Sequence, residues 1–152
     1  MTQVDFYIID TNSHDSWLRL ACRITEKAIK RKLEVYMHSE NEVDANKLDG
    51  LLWTFSQGSF IPHRLIGENP EPPFEEPVLI GHHDLATQLT ADSKTSQKWD
   101  LMINLTSEVP EFFSRYDRVV EVVDADPLRR ESGRERFRFY RDRGYKLATH
   151  NI

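Results

Sequence analysis

The sequence is short of the residues on which several kinds of chemistry depend. One cysteine, Cys22, stands among 152 residues, which excludes an internal disulfide and a cysteine zinc cluster. It follows Leu20-Ala21, and a buried place as a small apolar residue is expected for it. Six glycines are present and none precedes Gly50. The first strand-to-helix turn, Asp10-Thr11-Asn12-Ser13-His14, therefore carries neither Gly-x-Gly-x-x-Gly nor Gly-Lys-Ser/Thr. Without glycine the backbone cannot close on a pyrophosphate, so no nucleotide cofactor is expected. No run approaches the ~20 apolar residues of a membrane span. Met1-Thr2-Gln3-Val4-Asp5 lacks the basic and apolar regions of a signal peptide. A soluble, cytoplasmic protein without membrane contact is expected.

Catalytic constellations are missing too. The six histidines include no His-Glu-x-x-His. Ser16, Ser56 and Ser59 lack a nucleophile-elbow setting. His82-His83-Asp84 offers two adjacent histidines that point apart, with no third metal ligand identifiable. Asp10, at the end of the first strand, is read as a turn or cap residue. Glu75-Glu76 is read as a solvated pair. No metal site and no catalytic residue are expected.

What is present describes a folded domain. Hydrophobic residues make up 39% and aromatic residues 11%. A chain of this length buries roughly 70% of its unfolded surface, and residues 1–152 are read as a single domain.

Strand-like runs alternate with helical patterns. Val4 to Ile9, Leu33 to Met37, Val78 to Ile80, Leu101 to Leu105 and Val119 to Val123 are apolar and rich in β-branched residues. Trp17, Leu18, Ala21, Ile24, Ala28 and Ile29 recur at helical spacing to about Arg31, behind a cap at Ser13 or Asp15. Glu42 to Phe55 is a second helix, and Pro110 to Tyr116 a short one. Pro127 opens another helix that Gly144 stops, and Tyr145-Lys146-Leu147 is a last short strand. Gly58 to Pro77, with five prolines, is read as irregular, as is Ala91 to Lys98. The pattern predicts an α/β fold: an open, mainly parallel sheet with helices on both faces, Rossmann-like but without a nucleotide-binding loop.

The net charge of −5 is unevenly placed. Residues 129 to 146 hold eight basic residues against three acids, a net of +5. The remaining chain holds twelve basic and twenty-two acidic residues, a net of −10. Such asymmetry marks a site for an anionic partner or a solvated helix face. Arg130, Arg134, Arg138 and Arg141 fall on one helical stripe. Phe137 and Tyr140 form an apolar stripe beside it, and Tyr145 and Leu147 follow the helix stop. Of the three aromatics Phe137, Phe139 and Tyr140 at least one must lie near the surface, with core packing of Phe137 and Tyr140 the alternative. Arginine forks beside an apolar pocket suit a peptide offering carboxylates and a hydrophobic end. A second cluster joins Leu51-Leu52-Trp53-Thr54-Phe55 to Ser59-Phe60-Ile61-Pro62-His63. It either covers the sheet or forms a patch for a partner.

Four segments carry a resemblance. They are Val4-Asp5-Phe6-Tyr7-Ile8-Ile9-Asp10, Leu51-Leu52-Trp53, Ser59-Phe60-Ile61-Pro62-His63-Arg64-Leu65 and Glu121-Val122-Val123-Asp124. With them goes Arg134-Glu135-Arg136-Phe137-Arg138-Phe139-Tyr140-Arg141, followed by Gly144-Tyr145 and Leu147. In this order they resemble the chi subunit family of bacterial DNA polymerase III over nearly the whole chain. The resemblance implies a non-catalytic accessory subunit of the clamp-loader assembly. Such subunits bind psi, and also the acidic C-terminal tail of single-stranded DNA-binding protein, which ends in Pro-Phe. Carried over, the psi surface falls on Trp53, Phe60, Ile61, Pro62 and His63. The tail surface falls on Arg130, Arg134, Phe137, Arg138, Tyr145 and Leu147, with a pocket for the terminal ring between Phe137 and Leu147. DNA is then contacted indirectly. The competing readings are a direct single-stranded nucleic-acid binder using the same arginines, and a small enzyme at the sheet's carboxyl edge.

Overall fold

The computed structural model describes residues 1–13, 15–54, 60–66, 75–83 and 100–152. Asp84, Phe55, Ser56, Ser59 and the polar segment from Ala91 to Lys98 lie outside the described residues.

Seven strands form one sheet: β1 (Gln3–Ile8), β2 (Val35–Ser39), β3 (His63–Leu65), β4 (Val78–His82), β5 (Leu101–Leu105), β6 (Arg118–Val123) and β7 (Lys146–Asn151). Their order is β3-β4-β2-β5-β6-β1-β7, and every pairing is parallel. Among the described residues three α-helices connect them: α1 (Ser16–Lys30), α2 (Glu42–Thr54) and α3 (Pro127–Asp142). A short 3-10 turn spans Phe113–Arg115, where a short helix was expected. The expected α/β architecture is thus present, with a wholly parallel described sheet.

Alternation along the strands sorts side chains into two cores. Val35, Met37, Leu101, Ile103, Val120 and Val122 face α1 and α2 in one cluster. Tyr36, Met102, Val119 and Val123 face Phe112, Phe113 and Tyr140 in the other, beneath α3. Cys22 is buried on the α1 side as expected, and burial pushes its thiol up to about 12.

Three expectations need correction. Asp15 occupies the position before α1, but its side chain makes no capping bond; its backbone is left-handed, at φ 56°. The proline-rich stretch read as irregular contains β3. This three-residue edge strand pairs His63 with Val78, and an edge place is where a proline-flanked segment can join a sheet. β7 is also longer than the three residues expected. Among the described residues no helix is long and apolar enough to cross a membrane.

Candidate partner-docking surfaces

The start of α3 is fixed by carboxylates. The Asp126 side chain accepts from the Arg129 backbone N–H at 3.0 Å, and Pro127 sits in the first turn, where its missing N–H costs nothing. Buried Asp124 accepts from Arg129 Nε and Nη2, at 2.8 and 2.9 Å, and Arg129 also lies 4.5 Å over the Trp17 ring. At the other end Gly144 turns left-handed at φ 79°, where glycine avoids a Cβ clash. The chain then enters β7 alongside β1, with Leu147 opposite Val4 and Thr149 opposite Phe6.

Between α3 and this edge lies a pocket of about 230 Å³, lined by Phe6, Ile8, Val123, Gly133, Phe137 and Thr149, with Arg130 and Arg134. An apolar cavity of roughly 150 Å³ is enough to hold benzene, so a phenyl ring fits. Of the expected tail residues, the fold brings Arg130, Arg134 and Phe137 to this pocket. Arg138 is exposed one turn further along α3. Tyr145 is half-buried, its ring edge-on to Phe113 at 5.1 Å. Leu147 packs into the core beneath α3, so the pocket wall expected from Leu147 is supplied instead by Phe6, Ile8 and Thr149. Of the aromatic run, Tyr140 is fully buried while Phe137 and Phe139 are half-buried, so the core alternative holds for Tyr140.

The basic segment divides by role. Arg136 is buried and donates from Nε to Glu121 Oε1 at 2.9 Å. Arg129 belongs to Asp124. Arg130 donates to the Asp124 carbonyl at 3.0 Å and to exposed Asp10 at 3.3 Å. That contact gives Asp10 an ion-pair role beyond the expected turn. Arg134 and Arg138 are exposed and make no side-chain bond among the described residues. They are the groups open to a carboxylate.

The second surface lies near the opposite sheet edge. Trp53, at the end of α2, is 57% exposed and Phe60 64% exposed, their rings 5.2 Å apart. His63 anchors them: Nδ1 is 2.7 Å from the Ile61 carbonyl, Nε2 is 2.9 Å from Asp49 Oδ1, and its ring meets Trp53 edge-on at 5.1 Å. Pro62 is exposed. Ile61 is buried in the core with Leu52, so it supports the patch from below. The cluster thus both covers the sheet and presents a surface.

A further crevice of about 700 Å³ opens at the carboxyl ends of β2 and β5, among His38, His83, Ser107, Glu108 and Phe112. The His38 ring is 6.3 Å from that of His83. Burial, then His83 and His82, push His38 down to about 3, so it is neutral at physiological pH. No group of three His, Cys, Asp or Glu side chains suited to a metal occurs among the described residues.

The fold and these sites define a class: a parallel α/β domain with separate candidate docking surfaces near its two sheet edges. Residues 1–148 match the model of the family described as DNA polymerase III chi subunit, HolC, and the chain belongs to that family. It is 39% identical over 152 residues to DNA polymerase III subunit chi of Pseudomonas aeruginosa, covering 100% of this chain and 98% of that protein. It is 28% identical to the subunits of that name from Haemophilus influenzae, covering 97% and 95%, and from Escherichia coli, covering 98% and 97%.

Proposed function

We propose that this chain is a non-catalytic accessory subunit of the DNA polymerase III clamp-loader assembly, acting in DNA replication. It joins psi, through the exposed Trp53–Phe60 surface, to the acidic C-terminal tail of single-stranded DNA-binding protein. DNA is reached through that partner. The observation that carries the reading is the pocket of about 230 Å³ with Arg130 and Arg134 in its lining. A tail ending in phenylalanine offers a ring and a carboxylate on one residue. The ring enters the pocket beside Phe6 and Phe137, and the carboxylate meets a guanidinium, with a net gain of about 1.5–3 kcal/mol per charged hydrogen bond before solvent screening. The −10 body disfavours bare DNA as the ligand of the same arginines.

Titrating an acidic Pro-Phe peptide against the protein tests this. Binding that weakens when the terminal phenylalanine is removed is the expected result. Equal affinity with and without that ring overturns the pocket assignment.

A further inference from the structure

A second basic stripe lies on the other face of the sheet. Arg19, Arg23, Lys27 and Arg31 recur every four residues along α1 and its C-cap. Arg19, Arg23 and Lys27 are exposed, and none of the four makes an ion pair or side-chain hydrogen bond among the described residues. Four unpaired cations on a chain of net charge −5 are not accounted for by the surfaces above.

The stripe borders a groove in two stretches. The first, about 570 Å³, lies at the carboxyl end of β1 between Ile9, Asp10, Arg19 and Arg23. The second, about 780 Å³, continues along α1 past Tyr7, Ile24, Lys27 and Arg31. Arg23 and Ile152 line both. Acids are present too. Asp10 is paired with Arg130 and Glu26 is half-buried. In the second stretch Asp100 accepts from the Glu34 backbone N–H at 2.8 Å, and exposed Asp117, also in the lining, offsets one of the cations. Arg118 there belongs to Asp5, at 3.3 Å, so it adds no free charge.

The Asp10–Arg130 pair joins this groove to the α3 pocket. Arg130 lines the pocket and Asp10 lines the groove, so the two sites adjoin over the end of β1.

We infer that the α1 groove receives the acidic stretch upstream of the segment seated in the α3 pocket. One extended acidic peptide then crosses the carboxyl end of β1 and runs down α1. This rests on the tail-binding reading above and extends it to Arg19, Arg23 and Lys27. The dimensions agree. From Arg19 to Arg31 the stripe covers about 18 Å at 1.5 Å per residue. Successive cations are therefore about 6 Å apart, and alternate residues of an extended peptide are about 6.7 Å apart. Acidic side chains on one face of the peptide meet the cations in step. A nucleic acid is less well served, because single-strand binding relies on aromatic rings for base stacking. The groove's ring, Tyr7, is already stacked on His150 at 4.5 Å.

The experiment compares two peptides on the full chain. The short one holds only the Pro-Phe end; the long one adds about twelve acidic and polar residues upstream, enough for roughly 40 Å. The long peptide is expected to bind about tenfold more tightly at low salt, from several screened ion pairs. R19E/R23E/K27E removes that advantage and leaves the short peptide unchanged. Equal affinity of the two peptides for the parent protein overturns the groove assignment while leaving the pocket reading in place. So does a long-peptide advantage that survives the triple reversal. Failure of both peptides to bind the parent overturns the pocket reading and this inference with it. A single-stranded oligonucleotide that binds the parent and not the triple variant reassigns the groove to nucleic acid. The three positions are exposed and unpaired, and circular dichroism with thermal unfolding checks that the variant keeps its fold.

Discussion

Arg136 on α3 and Glu121 on β6 form a buried ion pair, Nε to Oε1 at 2.9 Å, with 5% and 0% of their side chains exposed. Around it Tyr140 donates its hydroxyl proton to Oε2 at 2.6 Å, and Asn104 donates from Nδ2 at 3.0 Å. Arg136 also donates to the Ser107 carbonyl at 3.2 Å and to Ser132 Oγ at 2.9 Å. Both charges are well satisfied, so the network pins α3, and with it Arg130, Arg134 and Phe137, to the sheet. Arg136→Ala leaves the Glu121 carboxyl in the core without its cation. The expected loss is about 3–5 kcal/mol. Tyr140→Phe removes a single hydrogen bond to a charged acceptor and is expected to cost about 1.5–3 kcal/mol. Urea denaturation measures both; an Arg136→Ala loss under ~1 kcal/mol would mean that the pair does not hold the helix.

Much of this pair is legible in the sequence. Val119-Val120-Glu121-Val122-Val123 reads as a buried strand, so its acid required a cation. Arg136 and Tyr140, four apart on α3, supply a guanidinium and a hydroxyl from one helical face. The net charge of residues 129 to 146 does not distinguish Arg136, which meets this demand, from the arginines on the surface. The strand runs, the Pro127 start and the Gly144 stop follow from local chemistry and could be read directly. β3 could not, since three residues carry no periodicity and its pairing depends on distant Val78. Which residue of β7 stands beside Phe6, Leu147 or Thr149, is decided by strand register, which places Thr149 there. Register is set by pairing, not by composition.

Reversing charge at the pocket separates electrostatic from apolar recognition. Arg134→Glu and Arg138→Glu each turn an attraction for the peptide's carboxylates into a repulsion, at exposed and screened positions. Each is expected to weaken peptide binding by about 1–2 kcal/mol at low salt, roughly five- to thirtyfold. The effect shrinks as salt rises. Isothermal titration at two ionic strengths reads both trends; a salt-independent affinity contradicts a role for these charges.

The aromatic pair at the other edge gives a reciprocal result. Phe60→Ala and Trp53→Ala remove exposed rings, so each is expected to change stability by under ~1 kcal/mol. Each is expected to abolish co-purification with psi and keep peptide binding. Loss of both partners in a folded variant argues against two independent surfaces.

His38 sets an acid limit on the fold. Its imidazole is buried with Nδ1 2.9 Å from the Tyr36 hydroxyl, and its folded value is pushed down to about 3 from the ordinary 6.5. Between these values the unfolded chain holds the extra proton. Stability from this group is therefore complete above about pH 6.5 and declines as pH falls toward 3. The slope reaches at most about 1.4 kcal/mol per pH unit. His38→Gln removes the titrating ring, and denaturation from pH 7 to pH 4 is expected to show a shallower decline than in the parent. Parallel curves would assign the acid sensitivity to other groups.

Gly133 tests how closely α3 must approach the sheet. A helix-interior glycine costs roughly 1 kcal/mol against alanine, so Gly133→Ala ought to stabilise an isolated helix. Here a Cβ at position 133 would stand 2.9 Å from Cγ2 of Val123, a stiff and buried side chain with little room to move. The helix would have to lift, straining the Arg136–Glu121 pair, and Gly133 and Val123 both line the pocket. Gly133→Ala is therefore expected to lose about 1–3 kcal/mol through overpacking instead of gaining helix propensity. Peptide affinity should fall with it. The pairing Gly133→Ala with Val123→Ala relieves the clash, and is expected to restore helix placement while leaving a larger pocket. Peptide titration beside urea denaturation of the single and double variants separates the two effects. A stabilised single variant with unchanged affinity would show that α3 has slack at this contact.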